Sequence, residues 1–387
     1  MAVPPELVAA LDPRSYARRT YVGAVAVAGL CVVPLGATAP QLSQLTWALF
    51  LVMFAVSWDV VSGYTGQISF GHTFFFGVGG YTTVVLNVQH GVSPVVGIPL
   101  GALLAAVGGV LIGVPALRVR GPYLALLTMA APLILLGVIV GFSDELPYLA
   151  PQGLGGTAGF VTPSDPLVGT AAAAVVTVDT FAMKILVEYY VVLGLLAVVL
   201  TGCYAVTGPL MGETLTAIRE NPQAVQAVGI DHVKFKVFAF VFSGFVGGLA
   251  GGAFVHTSAG NPIDPLQLVF LDRAIEIIIM AVLGGIGTIT GAVLGALFFA
   301  TASLFVGAID VGIPGTTMTL SDTMPAPLFL AAILVLRYRP DGLLGWLGTL
   351  GASRDRKRSE STDDLGRPDD ERPAGDVFEE LFGPPQD

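Results

Sequence analysis

The sequence is a succession of apolar runs, each about as long as a bilayer is thick, parted by short polar links. A helix needs ~20 predominantly apolar residues to cross the hydrocarbon core. Such runs are read at Tyr21–Ala37, Leu45–Val61, Ile68–Leu86, Val95–Leu117, Pro122–Phe142, Ile185–Val206, Val237–Val255 and Pro327–Leu336, the last extended by its flanks. Composition agrees: 12% of the 387 residues are charged and 54% hydrophobic, whereas soluble domains carry roughly 25% charged residues. A soluble fold of this composition would expose apolar area it has no means to cover. The expected fold is an all-α polytopic integral membrane protein. Cys31 and Cys203 both lie inside apolar stretches, which leaves neither a disulfide framework nor a zinc site.

One run is too long for a single crossing. Ala274–Phe305 is apolar throughout and contains Gly284, Gly285, Gly287, Gly291 and Gly295, so a break is expected there. Orientation follows the Lys/Arg bias of the links. Arg14, Arg18 and Arg19 precede the first run, Arg118 and Arg120 the fifth; Arg219, Lys234 and Lys236 follow the sixth. Arg337, Arg339 and the basic cluster Arg354–Arg358 follow the last run. The linker Ser143–Met183 carries Asp144, Glu145, Asp165 and Asp179, and Gly307–Thr323 carries Asp310 and Asp322, both without a positive charge. With basic links inside and acidic links outside, parity requires Ala274–Phe305 to cross twice or to enter and return. The expectation is about eight full spans plus this split or re-entrant segment, with both termini cytosolic.

The chain then divides into a cytosolic segment 1–20, a membrane domain 21–340 and a tail 353–387. Arg18-Arg19, an apolar core and Ala37-Thr38-Ala39 also have the elements of a cleaved signal, but Glu6, Asp12 and the many later spans favour an uncleaved first span. The tail holds 6 of the 18 Lys/Arg and 11 of the 28 Asp/Glu in Pro/Gly/Ser-rich text. That composition cannot bury enough apolar surface to fold and reads as a disordered cytosolic extension.

The longest polar stretch between confident spans is residues 208–236. Glu213–Glu220 reads as one short helix. Asn221 is placed to cap a second, with Pro222 at its first position. Ala224, Ala227 and Val228 would form a small apolar face, and Gly229 would end the helix. Two short helices at a bend make a knob suited to a groove on a cytosolic partner; an amphipathic loop on lipid headgroups is the plainer alternative, weakened by the scarcity of lysine and aromatic residues.

Polar side chains at membrane depth are costly and are functional candidates by default. Asp59, Gln67, Ser69, His72 and Glu276, with the aromatic Phe74, are candidates for a translocation path. A lone His such as His72 is more often a helix cap or a partner of a neighbouring carbonyl, and Glu276 stands beside Arg273 at ion-pair spacing. Gly244, Gly248 and Gly252 form one helical stripe and Gly247 and Gly251 an adjacent one; Gly287, Gly291 and Gly295 repeat the spacing. Small-xxx-small stripes let helices approach closely in lipid, whether as static packing or as sliding contacts.

Gln223-Ala224-Val225 with Gly229 resembles the docking loop of ABC importer permeases, with Gln and Val where that loop has Glu and Ala. The fuller string AIRENPQAVQAVGIDHVKFKVFAFVFSGFVGGLAGG (217–252) resembles the LivM type of branched-chain amino acid permease. So do GYTGQISFGHTFFFGVGGY (63–81), ALRVRGPYLALLTMA (116–130) and AIEIIIMAVLGGIGTITGAVLGA (274–296). The resemblance spans about residues 45–340. It implies one permease of an ATP-driven importer, paired with a LivH-like second permease, two ABC ATPase subunits and an extracytoplasmic binding protein, with substrate choice largely in the last.

On that resemblance Thr216, Ala217, Arg219, Glu220, Asn221, Gln223, Ala224, Ala227, Gly229 and Ile230 form the ATPase-coupling loop. No cofactor is expected on this chain, ATP and Mg²⁺ belonging to the partner ATPases; neither a metal site nor nucleic-acid binding is expected. The residues agree on one point by themselves: no lysine follows a glycine, so there is no GxxxxGK[ST] phosphate loop. HExxH and GxSxG are also missing, which argues against an intramembrane enzyme. A urea or short-chain amide permease and a self-sufficient channel are the remaining rivals.

Overall fold

The computed structural model describes residues 29–116, 122–143, 150, 153–160, 166–167, 181–260, 263–269, 271–307, 326–338 and 342–345. Segments 1–20 and 353–387, and most of the first apolar run, lie outside the described residues. So do Arg118, Arg120, Asp165 and Asp310.

Helix α1 (Ala39–Thr65) organises the bundle. The Gln41 side chain accepts a hydrogen bond from the Thr38 N–H at its start, at 2.9 Å, and Gly66, at φ 71°, ends it in the left-handed region. Every residue from Ala48 to Gly63 is buried. A helix that is apolar all round belongs at the centre. The helices that follow are α2 (His72–Val84), continued by a π turn (Val85–Gln89), α3 (Pro94–Ala116), α4 (Pro122–Gly141) and α5 (Phe181–Val206); α5 packs on α1, whereas α3 and α4 pack on α2. Two short helices follow, α6 (Pro209–Glu220) and α7 (Pro222–Ala227), then α8 (His232–Phe254). The chain continues through α9 (Pro265–Val269), α10 (Leu271–Gly284), α11 (Ile289–Gly307) and α12 (Ala326–Tyr338). Among the described residues the extended pairing is confined to one isolated bridge, Phe160 with Ile263.

Among the described residues five helices are long and apolar enough to cross a membrane: Ala39–Thr65, Pro94–Pro115, Tyr123–Gly141, Met183–Val206 and His232–Phe254. The pair Asp272–Gly284 and Ile289–Phe305 would make a sixth, bent by 118°. The break expected in the overlong run is therefore present, at Gly285–Thr288. Gly285 and Gly287 take φ of 124° and 78° there, a backbone readily adopted only without a Cβ. The run expected at Ile68–Leu86 starts four residues late: Gly66–Gly71 is not helical. Its polar groups are met by protein instead, which is the condition for irregular backbone at this depth. Trp58 Nε1 donates to Ser69 O at 2.7 Å, Ser62 Oγ to Gln67 O at 3.0 Å, and Phe70 N to Thr128 Oγ1 at 3.1 Å.

Contacts order the two ends of the bundle. The end of α1 meets α6 and the α10–α11 elbow, and a Cβ on Gly342, beyond α12, would lie 2.9 Å from Gly285 N. The opposite end gathers the linker fragments: Leu167 N donates to His256 O and Gln89 Nε2 to Gly153 O. The run 274–305 is thus two helices bent by 118° at the elbow and packed on each other. The link Arg219–Lys236 and Arg337 both fall at the elbow end.

The glycine stripes of α8 lie in helix contacts. A Cβ on Gly244 would lie 2.8 Å from Ala105 O, one on Gly248 would strike Ala105, and one on Gly252 would meet Thr83 Oγ1 at 2.8 Å. The second stripe faces α2, where a Cβ on Gly251 would collide with Phe76 O. On the bent pair, a Cβ on Gly291 would strike Thr288 Oγ1 within its own turn and one on Gly295 would strike Met280 O of α10. Along α8 these contacts are the close approach expected of small-residue stripes in lipid, whereas Gly287 lies in the elbow and not on the helical stripe expected for it.

Candidate functional site

Residues 208–231 fold into two short helices by local rules. Pro209 opens α6, where a missing N–H costs nothing, and Leu215 and Ile218 bury its inner face. Asn221 caps α7: its Oδ1 accepts from Gln223 N at 3.1 Å and Ala224 N at 3.0 Å. Gly229, at φ 88°, turns the chain out, with Ile230 N donating to Val225 O at 3.2 Å. Asp231 then caps α8 through Val233 N and Lys234 N, and the Lys234 ammonium lies 3.3 Å from its second oxygen. The Lys234 N–H, with that ammonium and the Val233 N–H, holds the Asp231 carboxyl below the ordinary aspartate range.

The apolar triplet Ala224, Ala227 and Val228 does not pack inward. All three are exposed, and Val225 is the buried anchor of α7. Gln223, Ala217 and Glu220 are exposed as well, while Thr216 bonds back to Gly212 O. The knob therefore presents a smooth, small-residue surface outward.

Arg219 is exposed too, yet its head group reaches back into the bundle. Its Nη1 donates to Gly63 O of α1 at 2.9 Å, and its Nη2 pairs with Glu220 at 3.1 Å. Asp59, one turn before Gly63 and fully buried, accepts from Gly287 N at 2.8 Å through Oδ1. The other candidate path residues lie apart from this node. His72 Nε2 meets Ser57 Oγ at 2.9 Å and Ser243 Oγ at 3.0 Å, tying α1, α2 and α8 together. Ser69 is buried in the Gly66–Gly71 loop, and Gln67 is half-buried beside it. Phe74 stacks edge-on to Phe75 and would touch any Cβ on Gly108. Glu276 takes the ion pair its spacing implies, 2.7 Å from Arg273, whose guanidinium covers the Trp47 ring at 5.2 Å.

Glu188, Ser57 and Ser243 are among the buried polar residues that escaped the sequence reading. Glu188, on α5, accepts from Ser258 N and Ser258 Oγ at 3.0 and 2.7 Å, and its other oxygen has no hydrogen bond among the described residues. It is the one acidic residue in the run Ile185–Val206, so the rule that flagged Asp59 would have found it. Ser57 and Ser243 gave no such signal, since serines abound in helices. Among the described residues no three His, Cys, Asp or Glu side chains gather closely enough to hold a metal ion.

The family model for the branched-chain amino acid transport system permease component matches residues 42–336. The high-affinity branched-chain amino acid transport system permease protein LivM of Salmonella typhimurium is 25% identical over 316 residues, covering 77% of this chain and 68% of that protein. The probable branched-chain amino acid transport permease protein LivH of Methanocaldococcus jannaschii is 24% identical over 302 residues, or 76% and 88% of the two chains. The ribose import permease protein RbsC of Haemophilus influenzae is 26% identical over 218 residues, 55% of this chain and 59% of that one. No solved structure matches. The match covers the bundle from inside α1 to inside α12, and the chain belongs to the family of branched-chain amino acid transport permease components.

Proposed function

We propose that this chain is a LivM-like half of the translocation path of an ATP-driven importer for branched-chain amino acids. The observation that carries the reading is the α6–α7 knob: two capped helices with Ala224, Ala227 and Val228 outward, on the end of the bundle where the basic links converge. By the positive-inside rule that end is cytosolic, as are both termini. Residues 216–230 then dock on an ABC ATPase, one of two, and a LivH-like chain supplies the other half of the path. An extracytoplasmic binding protein delivers substrate at the opposite end. ATP and Mg²⁺ sit on the ATPases. The span count on this reading is about eight, with α10–α11 as the re-entrant pair, and the tail 353–387 is a solvated cytosolic extension.

Reconstitution tests it. Alone in liposomes the chain should pass neither leucine nor urea above background. Leucine uptake should appear only with the second permease, both ATPases, ATP and the binding protein. ATP-independent flux through the lone chain would make it a channel; uptake of urea but not leucine by the full assembly would move it to the amide branch.

A further inference from the structure

Three elements distant in sequence converge at the inner end of α1: the last turn of α6, the last turn of α1 and the α10–α11 elbow. Gly66 ends α1, so Gly63 O is one of the carbonyls left without a helical partner. Arg219 supplies that partner, a cation where the helix dipole favours one. On the same face, one turn earlier, Asp59 holds the elbow through Gly287 N. The fit leaves no slack. A Cβ on Gly63 would lie 2.6 Å from Gly287 N, one on Gly66 2.8 Å from Arg219 Cγ, and one on Gly287 2.7 Å from Arg219 Nη1. Arg219 Nη1 thus sits between α1 and the elbow, while the partly exposed remainder of the guanidinium pairs with Glu220 on the knob.

We propose that Arg219, Gly63 O, Asp59 and Gly287 form a relay that passes displacement of α6 directly into the α10–α11 elbow. The proposal rests on the reading of α6–α7 as the ATPase-coupling element. In it Asp59 is a positioning residue, not a lining of the path. A shift of α6 along its axis either carries the elbow with it or breaks the Arg219–Gly63 and Asp59–Gly287 bonds. Because the elbow turns on two positive-φ glycines, it yields by rotation at those positions while α10 and α11 stay helical.

The test uses the complete importer in liposomes, reading uptake per ATP hydrolysed for Arg219→Gln, Asp59→Ala and the double variant. Ala removes the acceptor from Gly287 N, and the thermal unfolding midpoint in detergent checks that each variant still folds. Each single change should lower the ratio about tenfold, and the double should be no worse than either, since both cut one relay. Effects that multiply to about a hundredfold, or a ratio unchanged in either single, would overturn it. A second measurement uses spin labels at Glu220→Cys and Ile286→Cys with Cys31→Ser and Cys203→Ala. Their separation should stay constant when nucleotide is added and change when Asp59→Ala is present; a nucleotide-dependent change with Asp59 intact overturns the relay. Co-purification keeps the underlying reading separate: ATPase subunits retained after residues 222–227 are replaced by Gly/Ser would overturn the docking reading itself.

Discussion

The junction of α2, α3 and α8 and the junction of α1, α6 and the elbow both depend on glycine, and they use it in opposite ways. In the first, Gly79, Gly101, Gly248 and Gly251 are helical and their missing side chains let backbones touch: a Cβ on Gly79 would strike Gly248 O and one on Gly101 would lie 2.7 Å from Gly79 O. Close packing over many atoms makes that junction one stiff body. In the second, Gly66, Gly285 and Gly287 supply positive φ, and the elements are held by single polar contacts from Arg219 and Asp59. A body and a joint are built from the same residue, and the difference is whether the lost Cβ frees space or frees a dihedral.

The largest effect is expected where space is lacking. Gly251→Leu should cost ~3 kcal/mol or more, because the side chain meets backbone that cannot turn aside. Gly194→Leu, on α5 with nothing within 4 Å of its Cβ, should leave the thermal unfolding midpoint in detergent unchanged. Equal midpoints for the two would mean that the first junction is not close-packed. A smaller effect is expected at Gly229, where space is open and only φ is restricted. Gly229→Val should strain the turn by ~1–2 kcal/mol, abolishing ATP-driven uptake while the chain still inserts; Gly229→Asn, which tolerates this region, should keep most of it.

Smaller again is Asn221→Ala. Losing the cap should destabilise α7 by ~1 kcal/mol and weaken ATPase binding about fivefold, measured by titration, with Asn221→Asp restoring it. Smallest is Asp231. Its folded carboxyl titrates below the ordinary range, so the contribution of this cap is complete above the unfolded aspartate pKa of ~3.9. It is lost as pH falls through the folded value. Amide exchange in the first turn of α8 should therefore quicken as pH is lowered below about 4, after correction for intrinsic rates, and Asp231→Asn should remove that extra dependence. No change between the two would show that Asp231 does not cap the helix in solution.

The two-helix knob was legible in the chain because its signals are adjacent: Asn221 before Pro222, and Gly229 two residues past the helix. Ala224, Ala227 and Val228 form the apolar pattern and are exposed; the pattern passed over Val225, the residue that anchors the knob, because a six-residue helix is oriented by its neighbours rather than by its own periodicity. The start of α2 was placed too early for a related reason. Ile68 and Phe70 are apolar, but Trp58, Ser62 and Thr128 hold that backbone out of helical form from other elements.

By itself the sequence determined the membrane class, the approximate positions of the five long apolar helices, the Asn221 cap and the break within Ala274–Phe305. Each follows from hydropathy over ~20 residues or from side chains within one turn, and an overlong run with an odd parity has to bend somewhere. What only the tertiary structure decided is which polar residues meet. Asp59 and Gly287 are 228 residues apart and Arg219 and Gly63 are 156 apart, while Ser57, His72 and Ser243 come from three helices. Partner choice at such separations is set by how helices cross. Buried Asp59 and surface-reaching Arg219 read alike, as charges near a span end, until the packing of α1, α6 and the elbow places both at one joint.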